Sequence, residues 1–140
     1  MSEPIRLVVA GGGTAGHISP MLAIADAVKQ DNPAAQITAL GSPGGLETRL
    51  VPEAGYPLEL IPKAPMPRSI NLDLLKFPFR FAKAVNQAKA VLRQSNAQAL
   101  LGVGGYVCTP AYLAAKKLGV PIFVHEANSK AGMANKLGAK

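Results

Sequence analysis

Val8-Val9-Ala10-Gly11-Gly12-Gly13-Thr14-Ala15-Gly16-His17 runs from an apolar strand through a glycine-rich turn to a histidine, and a helical pattern follows. Backbone this bare lets a ligand approach the amide N–H groups, while the helix behind it presents a positive dipole end. A phosphate or diphosphate is the expected guest. A pure phosphate cradle has no need of the histidine. Its presence makes the turn a candidate reaction site as well as a binding loop.

The rest of the chain alternates strands and helices outward from this turn. Residues 5–10 read as a buried strand and 20–30 as a helix, with Ser19 as its N-cap and Pro20 at its first position. Ile24, Ala27 and Val28 are expected on one face of that helix. Strands follow at 36–40, 57–61, 99–103 and 120–124. Helices are expected at 46–54, at 110–118 and from about Ala131. A long helical pattern covers 72–94, with an interruption expected at Pro78. Such alternation demands a parallel sheet with right-handed crossovers, an α/β Rossmann-like doubly wound domain. No internal repeat or low-complexity segment is visible.

Ligands of such sheets bind at the carboxyl ends of the strands, near the point where strand order reverses. Three unusual turns fall there. Strand one ends in the glycine loop and His17, strand four in Gly102-Val103-Gly104-Gly105-Tyr106, and strand five in His125-Glu126-Ala127-Asn128.

With 140 residues, 49% hydrophobic and 16% charged, the chain is expected to be one globular domain. No apolar run is long enough to span a membrane, and no signal peptide is visible. Cys108 is the sole cysteine, which excludes an intrachain disulfide and fits a reducing cytosol. The formal charge is +7, and after Asp73 ten lysines and arginines face a single acid, Glu126. A basic half of this kind suits an anionic partner, or it is simply a solubilising surface.

Gly11 to Gly16 fits the spacing of a dinucleotide loop, but strand two ends Thr38-Ala39-Leu40-Gly41-Ser42, without the acid that grips a ribose. No Walker lysine follows either. His17, at the start of the first helix, is placed for a general base, or else it packs in the turn. Gly104 and Gly105 allow close approach of a ligand, and Tyr106 adds an apolar face with a polar tip. Glu126 is a candidate to bind sugar hydroxyls, orient a histidine or remove a proton; capping the next helix or pairing with Lys130 are the alternatives. Asn128 is a candidate for capping or for ligand contact. No cluster has metal-ligand spacing, and Cys108 reads as structural.

The stretch from Met66 to Lys83 differs in kind. Leu72, Leu75, Phe77 and Phe79 are interleaved with Lys76, Arg80 and Lys83, the composition of an interfacial membrane segment. An amphipathic helix packed on the sheet is the competing reading. Pro78 is expected to split the segment into two short pieces.

The motifs Gly11-Gly12-Gly13-Thr14-Ala15-Gly16-His17, Gly102-Val103-Gly104-Gly105-Tyr106-Val107 and His125-Glu126-Ala127-Asn128 resemble the three signatures of the MurG family. Its members are peripheral membrane glycosyltransferases of peptidoglycan synthesis. Glu47-Thr48-Arg49-Leu50-Val51-Pro52 and Ala131-Gly132-Met133-Ala134-Asn135-Lys136 extend the likeness over essentially the whole chain. The resemblance implies a GT-B architecture, in which two Rossmann-like domains flank a cleft. It also implies inverting, metal-independent transfer of N-acetylglucosamine from UDP-N-acetylglucosamine to lipid I, giving lipid II, in cell-wall biogenesis, cell division and cell shape.

On this resemblance, residues 1–140 form the amino-terminal acceptor- and membrane-binding domain, and the carboxyl-terminal donor domain lies outside the chain. The chain alone is expected to be inactive. His17 and Glu126 match catalytic positions. Thr14, Ala15, Gly16 and Asn128 match donor contacts, and Gly12, Gly13, Gly104, Gly105 and Tyr106 seat the acceptor diphosphate. Membrane contact falls to Leu72, Leu75, Lys76, Phe77, Phe79, Arg80 and Lys83. No cofactor, metal or nucleic acid is implied. The implied location is the cytoplasmic face of the bacterial membrane, beside other cell-wall synthesis proteins. Two positions depart from the family pattern: Ala15, where many members have glycine, and Ala127, where many have glutamine. Two rival classes remain, a nicotinamide-dependent dehydrogenase domain and a non-catalytic binder of nucleotides or anionic lipids.

Overall fold

The computed structural model describes residues 5–12, 15–61, 72–105 and 107–125. Five parallel strands form one sheet in the order β3-β2-β1-β4-β5. These are β1 (Arg6–Ala10), β2 (Gln36–Gly41), β3 (Leu58–Leu60), β4 (Ala99–Gly102) and β5 (Ile122–Val124). Between them run α1 (Ala15–Asp31), α2 (Glu47–Glu53), α3 (Leu72–Gln94) and α4 (Cys108–Leu118). The doubly wound α/β reading of the sequence is the observed fold.

Strand β1 is the centre of the sheet. Its register sets Ala10 beside Leu40 of β2 and beside Gly102 of β4. The three strands therefore end level with one another. Strands buried on both faces need near-continuous apolar residues, and β1 supplies them from Leu7 to Ala10. Leu7 and Val9 enter the core with Ile18, Met21 and Ala25 of α1. Val8 and Ala10 point the other way, into the core with Ala84, Val85 and Ala88 of α3 and Ala111 and Tyr112 of α4. Across that second core Cys108 donates its S–H to the Ala10 carbonyl at 3.3 Å. A Cβ at Gly102 would collide with the Tyr112 hydroxyl, so β4 ends on glycine to let the helix close in.

Three expectations are corrected. Helix α1 opens at Ala15, not Pro20, so Ser19 is inside the helix and caps nothing at its start. Pro20 is tolerated because only five helical residues precede it, and its missing N–H forfeits one bond, to the Gly16 carbonyl. The buried face of α1 is Ile18, Met21 and Ala25; Ile24 and Val28 flank it, and Ala27 is exposed. Helix α3 runs unbroken through Pro78, held by the packing of its later turns against the core. The helix expected from Ala131 lies outside the described residues.

Candidate functional site

Strand order reverses between β1 and β4, so the crevice of this sheet opens beyond Ala10 and Gly102. Two helices begin there, α1 at Ala15 and α4 at Cys108. The first turn of a helix carries N–H groups with no helical acceptor, which suits the start of α1 to an anion; at α4 the Cys108 N–H is taken by the Gly105 carbonyl at 3.2 Å and Pro110 has none.

The two turns that leave the strands are packed backbone against backbone. Gly104 and Gly105 have φ of +115° and +105°, a region that side chains rarely enter. A Cβ at Gly105 would lie 2.8 Å from the Gly12 carbonyl oxygen, and one at Gly104 would lie 2.9 Å from His17 Nε2. Glycine at both positions is a steric requirement of this approach. His17, in the first turn of α1, is half-buried, and its Nδ1 lies 3.1 Å from the Gly12 carbonyl oxygen. A carbonyl can only accept, so Nδ1 carries the hydrogen. In the neutral imidazole Nε2 is then the basic nitrogen, and it faces Gly104.

Beneath Gly12 lies a residue to which the sequence reading gave no role. Glu47, the first residue of α2, is 0% exposed. Its Oε1 accepts the Ser42 backbone N–H at 3.1 Å and the Ser42 hydroxyl at 3.2 Å. The sequence predicts no carboxylate at the end of β2, yet folding brings this one there. It is turned inward under the glycine loop, with no surface to offer a ribose hydroxyl. Gly41 and Gly45 leave the room that its side chain fills.

The first turns of α3 carry the other candidate surface. Leu75 and Phe79, one helical turn apart, are 69% and 79% exposed. Lys76, Arg80 and Lys83 are exposed on the same side of the helix. Phe77 faces the opposite way, half-buried and stacked on Phe81 with ring centroids 5.6 Å apart. Among the described residues no helix is long and apolar enough to cross a membrane.

The structure thus unites His17, Gly12, Gly104 and Gly105 at one crevice, with Gly16 exposed in the first turn of α1. Ala15 opens that helix. Gly13, Thr14, Tyr106, Glu126 and Asn128 lie outside the described residues, as does the side chain of Leu72. Among the described residues no group of histidine, cysteine and acid side chains could hold a metal ion. Cys108 is fully buried, and burial pushes its thiol up to about 11, in keeping with a structural role.

Residues 7–140 match the family described as glycosyltransferase family 28 N-terminal domain. Two curated relatives, from Paenarthrobacter aurescens and Corynebacterium efficiens, are 58% and 60% identical over 99% of this chain. Both are named UDP-N-acetylglucosamine--N-acetylmuramyl-(pentapeptide) pyrophosphoryl-undecaprenol N-acetylglucosamine transferase. The chain spans 37% and 38% of their lengths. Among solved structures, MurG of Acinetobacter baumannii superposes with a TM-score of 0.84 at 33% identity, over 97% of this chain and 39% of that one.

Proposed function

This chain belongs to the family of glycosyltransferase family 28 N-terminal domains, and from that premise we propose that it is the acceptor-binding half of a lipid-linked sugar transferase. The donor is UDP-N-acetylglucosamine and the acceptor is lipid I, a polyprenyl diphosphate carrying a muramoyl sugar and peptide. The names of the relatives support both assignments.

In the proposed reaction the acceptor sugar hydroxyl attacks the anomeric carbon of N-acetylglucosamine. The new glycosidic C–O bond forms as the bond from that carbon to UDP breaks, with inversion. The hydroxyl proton passes to His17 Nε2, and UDP leaves with the electron pair of the broken bond. The Nδ1–H bond from His17 to the Gly12 carbonyl is the observation that carries this reading, because it makes Nε2 the basic nitrogen of the neutral ring. Glu126 is the second candidate for the proton, on the resemblance alone. The start of α1 at Ala15 suits the acceptor diphosphate. Leu75, Phe79 and the cations beside them suit an anionic membrane surface, which the polyprenyl tail requires. On this reading the protein works at the cytoplasmic face of the bacterial membrane, beside other enzymes of cell-wall synthesis.

His17→Ala in the full-length protein tests the assignment. Transfer to a lipid I analogue should fall about 10²- to 10⁴-fold in kcat, the usual worth of a general base. Donor affinity, measured by titration with UDP, should change little. A near-normal rate moves the proton to Glu126 or to water.

A further inference from the structure

Glu47 sits in a slot made by three glycines. A Cβ at Gly12 would fall 2.5 to 2.8 Å from the carboxylate atoms of Glu47, and one at Gly45 would meet the same carboxylate. A Cβ at Gly41 would press on its Cγ. The carboxylate therefore fills, between two turns of the chain, the volume that side chains would otherwise occupy. Ser42 holds it from the β2 side with two hydrogen bonds to Oε1. A buried acid costs stability unless its acceptors are met. Such a group near a site has a positional consequence: it cannot move without leaving a void or an unmet acceptor.

What rests on Glu47 is the backbone of Gly12. The Gly12 carbonyl oxygen takes the Nδ1 hydrogen of His17 and packs against Gly105. The path from Glu47 through Gly12 to His17 thus consists of direct contacts. We propose that Glu47 is a positioning residue for His17. It holds the Gly12 carbonyl where that oxygen selects the Nδ1–H tautomer and aims Nε2 into the crevice. This inference rests on the proposed role of His17 as the base.

The test uses the full-length protein with Glu47→Gln, which keeps size and an acceptor oxygen, and Ser42→Ala, which removes one donor to the carboxylate and leaves the slot filled. Three quantities are read in each: kcat and KM for the donor, the thermal midpoint, and the His17 tautomer from the 15N shifts of its ring. In Glu47→Gln, kcat should fall about 10- to 100-fold, the scale of a small misplacement of a reacting group. The KM for the donor should stay within about twofold, because no donor contact is touched. The 15N shifts should show a mixture of tautomers in place of Nδ1–H. Ser42→Ala should move the same three readings in the same direction by less. An unchanged tautomer, or a loss of rate that only follows the unfolded fraction, overturns the proposal. If the unmodified protein transfers no sugar, the proposed function fails instead, and the tautomer measurement still decides whether Glu47 positions His17.

Discussion

Cys108 sits wholly inside the second core, its S–H on the Ala10 carbonyl, and burial raises its thiol from the ordinary 9.0 to about 11. The folded protein therefore keeps a proton that the unfolded chain releases near pH 9. Between pH 9 and 11 the native state binds more protons than the unfolded one, so stability falls as pH rises. The expected slope is about 1.4 kcal/mol per pH unit, absent below pH 9. Tyr56, buried and hydrogen-bonded to Asp26, is raised from 10.0 to about 12 and adds a loss of the same sign between those values. Urea denaturation of the protein and of Cys108→Ala from pH 8 to 11 isolates the thiol, since Tyr56 acts equally in both. Equal pH slopes would refute the assignment. At this scale the sequence was unevenly legible. His17 could be picked out because it follows the glycines directly. Glu47 could not, because its partners Gly12 and Ser42 meet only when β2 pairs with β1.

Among the described residues the elements were read in the right order and with the right types, because near-continuous apolar strands alternate with helical spacing. Helix boundaries near prolines were misread. Ser19-Pro20 has the form of a helix start, yet α1 begins at Ala15, since a proline this close to the start costs only one bond. Pro78 has the form of a break, yet α3 continues, because Ala84, Val85, Ala88 and Leu92 anchor the later turns in the core. Tertiary burial there outweighs a local cost of about 3 kcal/mol. Restoring the missing bond should therefore tighten the exposed first turns and leave the anchored ones unchanged. Pro78→Ala is expected to raise hydrogen-exchange protection of the amides from Phe79 to Lys83 by tenfold or more, about 1.4 kcal/mol or above. Protection at Val91 and Leu92 should stay the same. Unaltered exchange at Phe79 to Lys83 would show that Pro78 imposes no local weakness.

At the scale of the molecule, the site follows from topology more than from any motif. Level strand ends at Ala10 and Gly102, joined to a reversal of strand order, set the two glycine turns against each other. The sequence indicated that these turns would share a rim; it held no sign that they would touch. The same topology separates the positive charge into two ends. Lys76, Arg80 and Lys83 lie on the early turns of α3, whereas Arg93, Lys116 and Lys117 lie where α3 and α4 end, ahead of β4 and β5. A net charge of +7 alone would bind anionic vesicles through any basic surface. The proposed membrane face, by contrast, requires the end that also exposes Leu75 and Phe79. Each cation near an anionic surface contributes about 1 kcal/mol. Reversing Lys76, Arg80 and Lys83 to Glu in the full-length protein should therefore weaken partition onto phosphatidylglycerol vesicles by about 100-fold or more. The same three-charge reversal at Arg93, Lys116 and Lys117 should cost far less, although it changes net charge equally. Leu75→Ser with Phe79→Ser should also weaken binding, and what remains should still fall with added salt, because those cations are intact. Equal losses from the two charge reversals would mean that net charge alone drives the binding, and the early turns of α3 would lose their claim to the membrane.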